Sequence, residues 1–437
     1  MELLNRLRRP ETRRWLIVAI IFLAIVFNYI DRQIVSVLKP ILKVEFGLDD
    51  SGYAVILNLF TICYAVMYPV TGWLVDRFGA RLLMFWGIIT WSVACIGGGL
   101  SRTVGQFGFF RALLGAAEPT NFPAQLKVIA VWFPGKLRAT ANSLCVAGSS
   151  IGAIIAPPAI AWLALTYSWQ TAFIVMGAAG LVIAVLWKLV YTDPPPDVYR
   201  EATEGKVAVI EGSSSVAASS SMPAHATNKP LSAAIPFKWR QLWGTRSLWG
   251  ILLIRFVSDP VWYFCLFWLP GYLQEESGLS LAQVGMFGWI PFLFADLGAI
   301  GTSAWSDKLV RKGYEPLKAR KKMLTTVAFV GPLCILTPYL GNAALTLAVF
   351  SIVAIACLSW LFTISVVVAE TFPVENVASV LGIAAGFGAL GAVAFNYFVG
   401  EFIGTLGAEK IFIVMAVLHP LAALILKTMV KKERVRQ

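Results

Sequence analysis

Histidine and charge are both scarce in this chain. Only two histidines, His225 and His419, occur in 437 residues, and charged side chains make up 14% of them, against about one quarter in an ordinary globular domain. With so few histidines and no Walker loop, HExxH pair or nucleophile elbow, there is no constellation for acid–base, nucleophilic or zinc chemistry. The chain therefore does not read as an enzyme, and no metal or other cofactor is expected. Cysteine is equally sparse. Cys63, Cys95, Cys145, Cys265, Cys334 and Cys357 all stand inside apolar runs without ligand spacing, which excludes a disulfide framework and reads as small core residues.

What is abundant is apolar surface: 58% of the residues are hydrophobic, with 16 Trp and 28 Phe. The apolar runs are about 20 residues long, twice what a membrane strand needs, so the fold class is an all-α polytopic membrane protein. Runs bounded by Gly, Pro or charge fall near 15–38, 53–75, 82–100, 105–132, 139–165 and 170–191, then near 247–273, 281–304, 322–341, 344–370, 377–400 and 409–430. That gives twelve helices in two groups of six, an N-terminal bundle over 1–192 and a C-terminal bundle over 247–437. Residues 193–246, opening with DPPPD and carrying a Ser/Ala/Pro-rich tract, read as a partly flexible cytoplasmic linker. The first apolar run is too long for a cleavable leader.

Net charge is +12, yet the bases cluster beside the spans, where anionic lipid explains them better than nucleic acid does. Arg13, Arg14, Arg77, Arg81, Lys136, Arg138, Lys308, Arg311, Lys312 and the bases from Lys431 onward all fall on one side if every run crosses, which makes both termini cytoplasmic. The halves also repeat: WFPGKLRA at Trp132 and TFPVENVA at Thr371 share Phe-Pro-x-x-x-x-Ala, as expected of a duplicated six-helix carrier unit.

Five stretches carry a resemblance. GWLVDRFGAR at 72–81 closely resembles the loop motif of the major facilitator superfamily, with Gly72, Asp76, Arg77, Gly79 and Arg81 at its positions. NYIDR, RALLGAAEPTNFPAQLKVIAVWFP, GSSIGAIIAPP and SDPVWYFCLFWLP together resemble the anion:cation symporter family, and within it the bacterial hexuronate and aldonate permeases. The resemblance implies a proton-coupled importer of a sugar acid in the cytoplasmic (inner) membrane of a bacterium, working by alternating access between two pseudo-symmetric bundles as a monomer. It implies that Arg32 holds the substrate carboxylate, that Tyr29 and Tyr64 offer hydroxyls to it, and that Asp31 and Glu118 couple protons. The loop motif is expected to gate the conformational change.

The residues support this independently. An acid and a base side by side in a span, Asp31 and Arg32, point about 100° apart on a helix and need separate partners. Arginine suits a carboxylate because its planar fork donates two parallel bonds and stays charged. Arg111 lies seven residues before Glu118 on the same helix face and is expected to hold it ionised. Trp262, Tyr263, Trp289 and Asn396 are candidate substrate contacts from the second half, since sugars stack C–H faces on rings. Arg255 and Asp259 read as an ion pair, with Asp296 near it. The alternatives are a sodium- or proton-coupled carrier of another organic carboxylate or phosphate, and a membrane sensor that keeps the carrier fold without transporting.

Overall fold

The computed structural model describes residues 10–199, 202 and 239–431. Most of the linker, with His225, and the chain ends 1–9 and 432–437 with their bases lie outside the described residues.

The first half comprises α1 (Pro10–Val37), α2 (Lys39–Phe46), α3 (Asp50–Phe78), α4 (Ala80–Gly99), α5 (Val104–Ala117), a 3₁₀ turn (Glu118–Thr120), α6 (Asn121–Trp132), α7 (Gly135–Thr166) and α8 (Trp169–Val190). The short α9 (Trp239–Trp243) leads into the second half. There follow α10 (Arg246–Phe267), α11 (Leu269–Glu275), α12 (Leu281–Phe287), α13 (Ile290–Arg311), α14 (Pro316–Ala328), a 3₁₀ stretch (Gly331–Tyr339), α15 (Ala343–Thr371), α16 (Val374–Leu406) and α17 (Ala408–Met429). Eleven segments among the described residues are long and apolar enough to cross a membrane. The twelfth expected run, 105–132, is absent from these because its helix is divided by the 3₁₀ turn at Glu118–Thr120.

Proline explains most of the interruptions, because it cannot donate the bond that continues a helix. Pro40 follows the break between α1 and α2, Pro119 stands in the turn between α5 and α6, and Pro270 and Pro291 open α11 and α13. Pro69, Pro157 and Pro158 are instead carried within continuous helices. The expected spans near 247–273, 281–304 and 322–341 are thus each built from two shorter pieces.

The two ends of the molecule use different helix starts. At the end away from the termini, Asp49, Thr103, Ser168, Ser280 and Asn342 cap α3, α5, α8, α12 and α15 through side-chain oxygens that accept from the first-turn amides. At the terminal end, the repeated Phe-Pro motif places Pro134 and Pro373 before α7 and α16. Within the first half, α1 and α7 approach closely at two glycines: a Cβ on Gly148 or Gly152 would lie 2.7 or 2.5 Å from the carbonyl oxygens of Phe22 or Val26.

Among the described residues, the halves are joined by hydrogen bonds at the far end. The Tyr53 hydroxyl donates to the Phe267 carbonyl at 2.8 Å, Gln274 Nε2 to Val37 at 2.9 Å, and Asn58 Nδ2 to Val393 at 3.1 Å. A Cβ on Gly400 would meet Ala54 of the first half at 2.4 Å. Among the described residues the molecule is therefore closed at the far end.

Candidate functional site

A cavity of about 330 Å³ lies between the halves, within the range of small-molecule sites. Its first-half wall carries Asn28, Tyr29 and Arg32 from α1, Tyr64 and Tyr68 from α3, Glu118, Asn121 and Gln125 around the broken helix, and Ser149 and Ser150 from α7. The second-half wall carries Arg255, Trp262, Phe292, Asp296 and Ser365.

Its centre is one ion pair. Arg32 Nε donates to Glu118 Oε2 at 2.7 Å, with the Glu118 side chain fully buried and Arg32 13% exposed toward the cavity. The guanidinium also lies over three rings, Tyr64 at 4.6 Å, Tyr29 at 5.1 Å and Phe60 at 5.7 Å. Aromatic faces stabilise a partly dehydrated cation while leaving its N–H donors directed in the plane, one of them to Glu118.

Asp31 turns the other way, as neighbouring helix positions must. It is 1% exposed and is reached by the Cys95 thiol at 3.5 Å, behind the cavity wall. Arg111 is also buried, stacked on Phe60 at 5.0 Å, and its three guanidinium nitrogens have no hydrogen-bond partner among the described residues. The expected Arg111–Glu118 pair is not formed. Seven helical residues advance about 10.5 Å along the axis, the helix changes to 3₁₀ at Glu118, and Arg32 reaches that carboxylate first from a neighbouring helix. Arg32, Arg111, Asp31 and Glu118 nevertheless form one buried group of two cations and two acids.

The second-half candidates divide. Trp262 lines the cavity, edge-on to Phe292 with centroids 5.9 Å apart. Tyr263 sits beside it, packed on Phe267 and outside the lining. Asn396 is fully buried at the closed end, accepting from Trp268 Nε1 at 3.0 Å and donating to Asn58 at 3.2 Å. Trp289 donates to the Met286 carbonyl at 2.7 Å and lines a separate outer groove with Trp162. Arg255 and Asp259 form their ion pair at 3.0 Å.

In the loop motif, Gly79 adopts φ +87°, which favours glycine, and turns the chain between α3 and α4. Asp76 meets Lys127 of its own half at 3.4 Å, Arg77 lies over Trp73, and the Arg81 carbonyl accepts from Trp187. Gly72 has open space where a side chain would stand.

Sequence reasoning passed over Asn28, Asn121, Gln125, Ser149, Ser150 and Ser365. A signal was present: Glu118, Asn121 and Gln125 share one face at i, i+3 and i+7, and Asn28 precedes Arg32 by four. The letters GSSIG at 148–152 match a nucleophile elbow, but they lie within the continuous α7 and not at the strand-to-helix turn that exposes such a serine.

The chain matches the Major Facilitator Superfamily over residues 21–364. It belongs to that family. It is a membrane transporter and not an enzyme. It is 31% identical over 434 residues to the hexuronate transporter of Escherichia coli (strain K12), covering 98% of this chain and 96% of the relative. It is 31% identical over 346 residues to the galacturonate transporter of Dickeya chrysanthemi, covering 79% and 94%. Among solved structures, a bacterial homolog of the human lysosomal transporter Spinster, inward-facing and occupied, aligns with TM-score 0.73 and 17% identity over 94% of this chain and 95% of that one. That last likeness speaks for the fold alone.

Proposed function

We propose that this transporter imports an anionic sugar acid, a hexuronate or an aldonate, together with protons. The observation that carries the reading is the Arg32–Glu118 pair at 2.7 Å on the wall of a cavity between the halves. A fixed cation already neutralised by a titratable acid is a site for exchange: when a proton neutralises Glu118, Arg32 loses its partner and a substrate carboxylate takes its place. Tyr29 and Tyr64 offer hydroxyls, and the edge of Trp262 offers an apolar face to a sugar ring. The names of the hexuronate and galacturonate relatives support the same substrate class.

Coupling follows from charge. With both Glu118 and substrate ionised, the site holds one uncompensated anion between the closing halves, which is costly away from water; with neither bound, or both, the charge balances. Asp31, buried against Cys95 behind Arg32, is the second acid that carries a proton, and Arg111 provides the positive field around both. The Asp76 loop gates the terminal end.

In this reading 1–192 and 247–437 are the two bundles and 193–246 joins them. The termini face the cytoplasm of a bacterial inner membrane, because bases crowd the terminal end, and the contacts at the far end support an inward-facing state. The monomer suffices, since one chain builds the whole site. Uptake of labelled glucuronate into proteoliposomes tests the reading. Accumulation should follow an imposed inward proton gradient. Accumulation driven by sodium, or by neither ion, would refute proton coupling, and binding without accumulation would mark a sensor.

A further inference from the structure

Charge is distributed unevenly over the two cavity walls. On the first-half wall, Arg32 brings its own acid, Glu118, at 2.7 Å. On the second-half wall, Arg255 is likewise held by Asp259 at 3.0 Å, and Asp259 is 4% exposed. Asp296 of α13 lines the same cavity and makes no salt bridge among the described residues. Among the described residues, the Ser150 hydroxyl of the opposite half is the hydrogen-bonding side chain that bears on it. This wall therefore sets one cation against two acids, and the acid without a cation is one that lines the cavity.

An ionised carboxylate only accepts hydrogen bonds, through two oxygens with about four lone-pair sites. A single serine hydroxyl leaves most of that capacity open. The groups that satisfy it are O–H donors, and a sugar chain carries several. A second carboxylate is the group it rejects: two anions in a partly dehydrated cavity repel far more strongly than in water, and no free cation stands on that wall to screen them. Arg255 cannot turn to relieve the clash without leaving Asp259 buried and unpaired, which is strongly unfavourable.

We propose that Asp296 is the residue that reads the uncharged end of the substrate. It accepts hydrogen bonds from the tail hydroxyls of a sugar monoacid whose carboxylate is held by Arg32, and it excludes sugar diacids. The assignment rests on the sugar-acid reading above and deepens it.

Galactonate and galactarate differ only at one end, a hydroxymethyl group in the first and a carboxylate in the second, so their comparison isolates this contact. Affinities for both, and for galacturonate, are measured by calorimetry on the purified full chain, wild type and with D296N, D296S and D296E. Wild type should prefer galactonate over galactarate by about tenfold or more. D296N should shrink that ratio by about tenfold through tighter galactarate binding, and D296E, which keeps the charge, should preserve it. D296S makes the same neutral test at smaller volume if D296N does not fold. Equal wild-type affinities, or a ratio unchanged in whichever neutral variant folds, would overturn the assignment. If wild type binds none of the three sugar acids, the sugar-acid reading itself fails and this one with it, an outcome distinct from equal binding.

Discussion

Lys39 Nζ lies 2.5 Å from Glu275 Oε2, and this ion pair ties the first half of the molecule to the second at the closed end. Lys39 is almost fully buried, sits over Trp268 at 4.9 Å, and also meets Asp50 at 2.8 Å; Lys43 reaches the same two acids at 3.1 and 3.4 Å. Glu275 is the acid of this cluster that comes from the second half, so it is one of the groups that must be released when the far end opens. Outside the spans, these acids also favour the charged form of Lys43 and raise its pKa above the ordinary lysine value, against the effect of its partial burial.

Glu275→Gln is accordingly expected to favour opening at the far end. Lys39 keeps Asp50 as a partner, so the loss is modest, about 1 kcal/mol or about a fivefold shift in the conformational equilibrium. Spin labels at Glu45 and Glu409, both exposed at that end, would report a larger long-distance population by pulsed electron resonance. An unchanged distance distribution would show that the latch contributes nothing.

Arg32 is expected to be replaceable by neither Ala nor Lys. Arg32→Ala leaves Glu118 buried without its cation and removes the carboxylate anchor, so sugar-acid binding should vanish. Arg32→Lys keeps the charge but loses the planar fork, which should weaken binding by about tenfold or more. Calorimetric titration with glucuronate distinguishes the two, and retained wild-type affinity in Arg32→Ala would remove Arg32 from the site.

Glu118→Gln fixes the neutral form of the coupling acid. Exchange of labelled for unlabelled substrate across a liposome membrane should persist, because Arg32 is then permanently available. Accumulation under a proton gradient should be lost. Full accumulation in this variant would assign coupling to Asp31 or elsewhere.

Gly152→Ala tests the packing of α1 on α7 and not the chemistry. Its Cβ would lie 2.5 Å from the Val26 carbonyl and 2.9 Å from the Tyr29 Cβ. The helices must separate to admit it, at a cost of about 1–3 kcal/mol. The thermal unfolding midpoint in detergent should fall, and Tyr29 should shift with α1, so affinity should fall alongside stability.

Much of the fold was legible because a bilayer imposes it one segment at a time. Apolar runs of sufficient length must be helices, and the bases beside them mark one end. The Phe-Pro repeat at Phe133 and Phe372 was visible as spacing, and it returns as the same proline helix start in both halves. The breaks were less legible. Pro270 and Pro291 mark breaks that proline by itself does not signal, since it is also tolerated inside the continuous α3 and α7.

The site divides along the same line. Residue type and helical angle by themselves determined that Asp31 and Arg32 needed different partners, that Arg32 suited a carboxylate, and that Arg255 and Asp259, four apart, would pair. Only the tertiary structure decided that Arg32 takes Glu118 from Arg111, that Asp296 faces the cavity while Asn396 and Trp289 do not, and that the halves lock through Lys39 and Glu275. Those relations join residues from separate helices, up to 236 positions apart in the chain. Helical periodicity sets directions within one helix, whereas the distance between two helices is set by what packs between them.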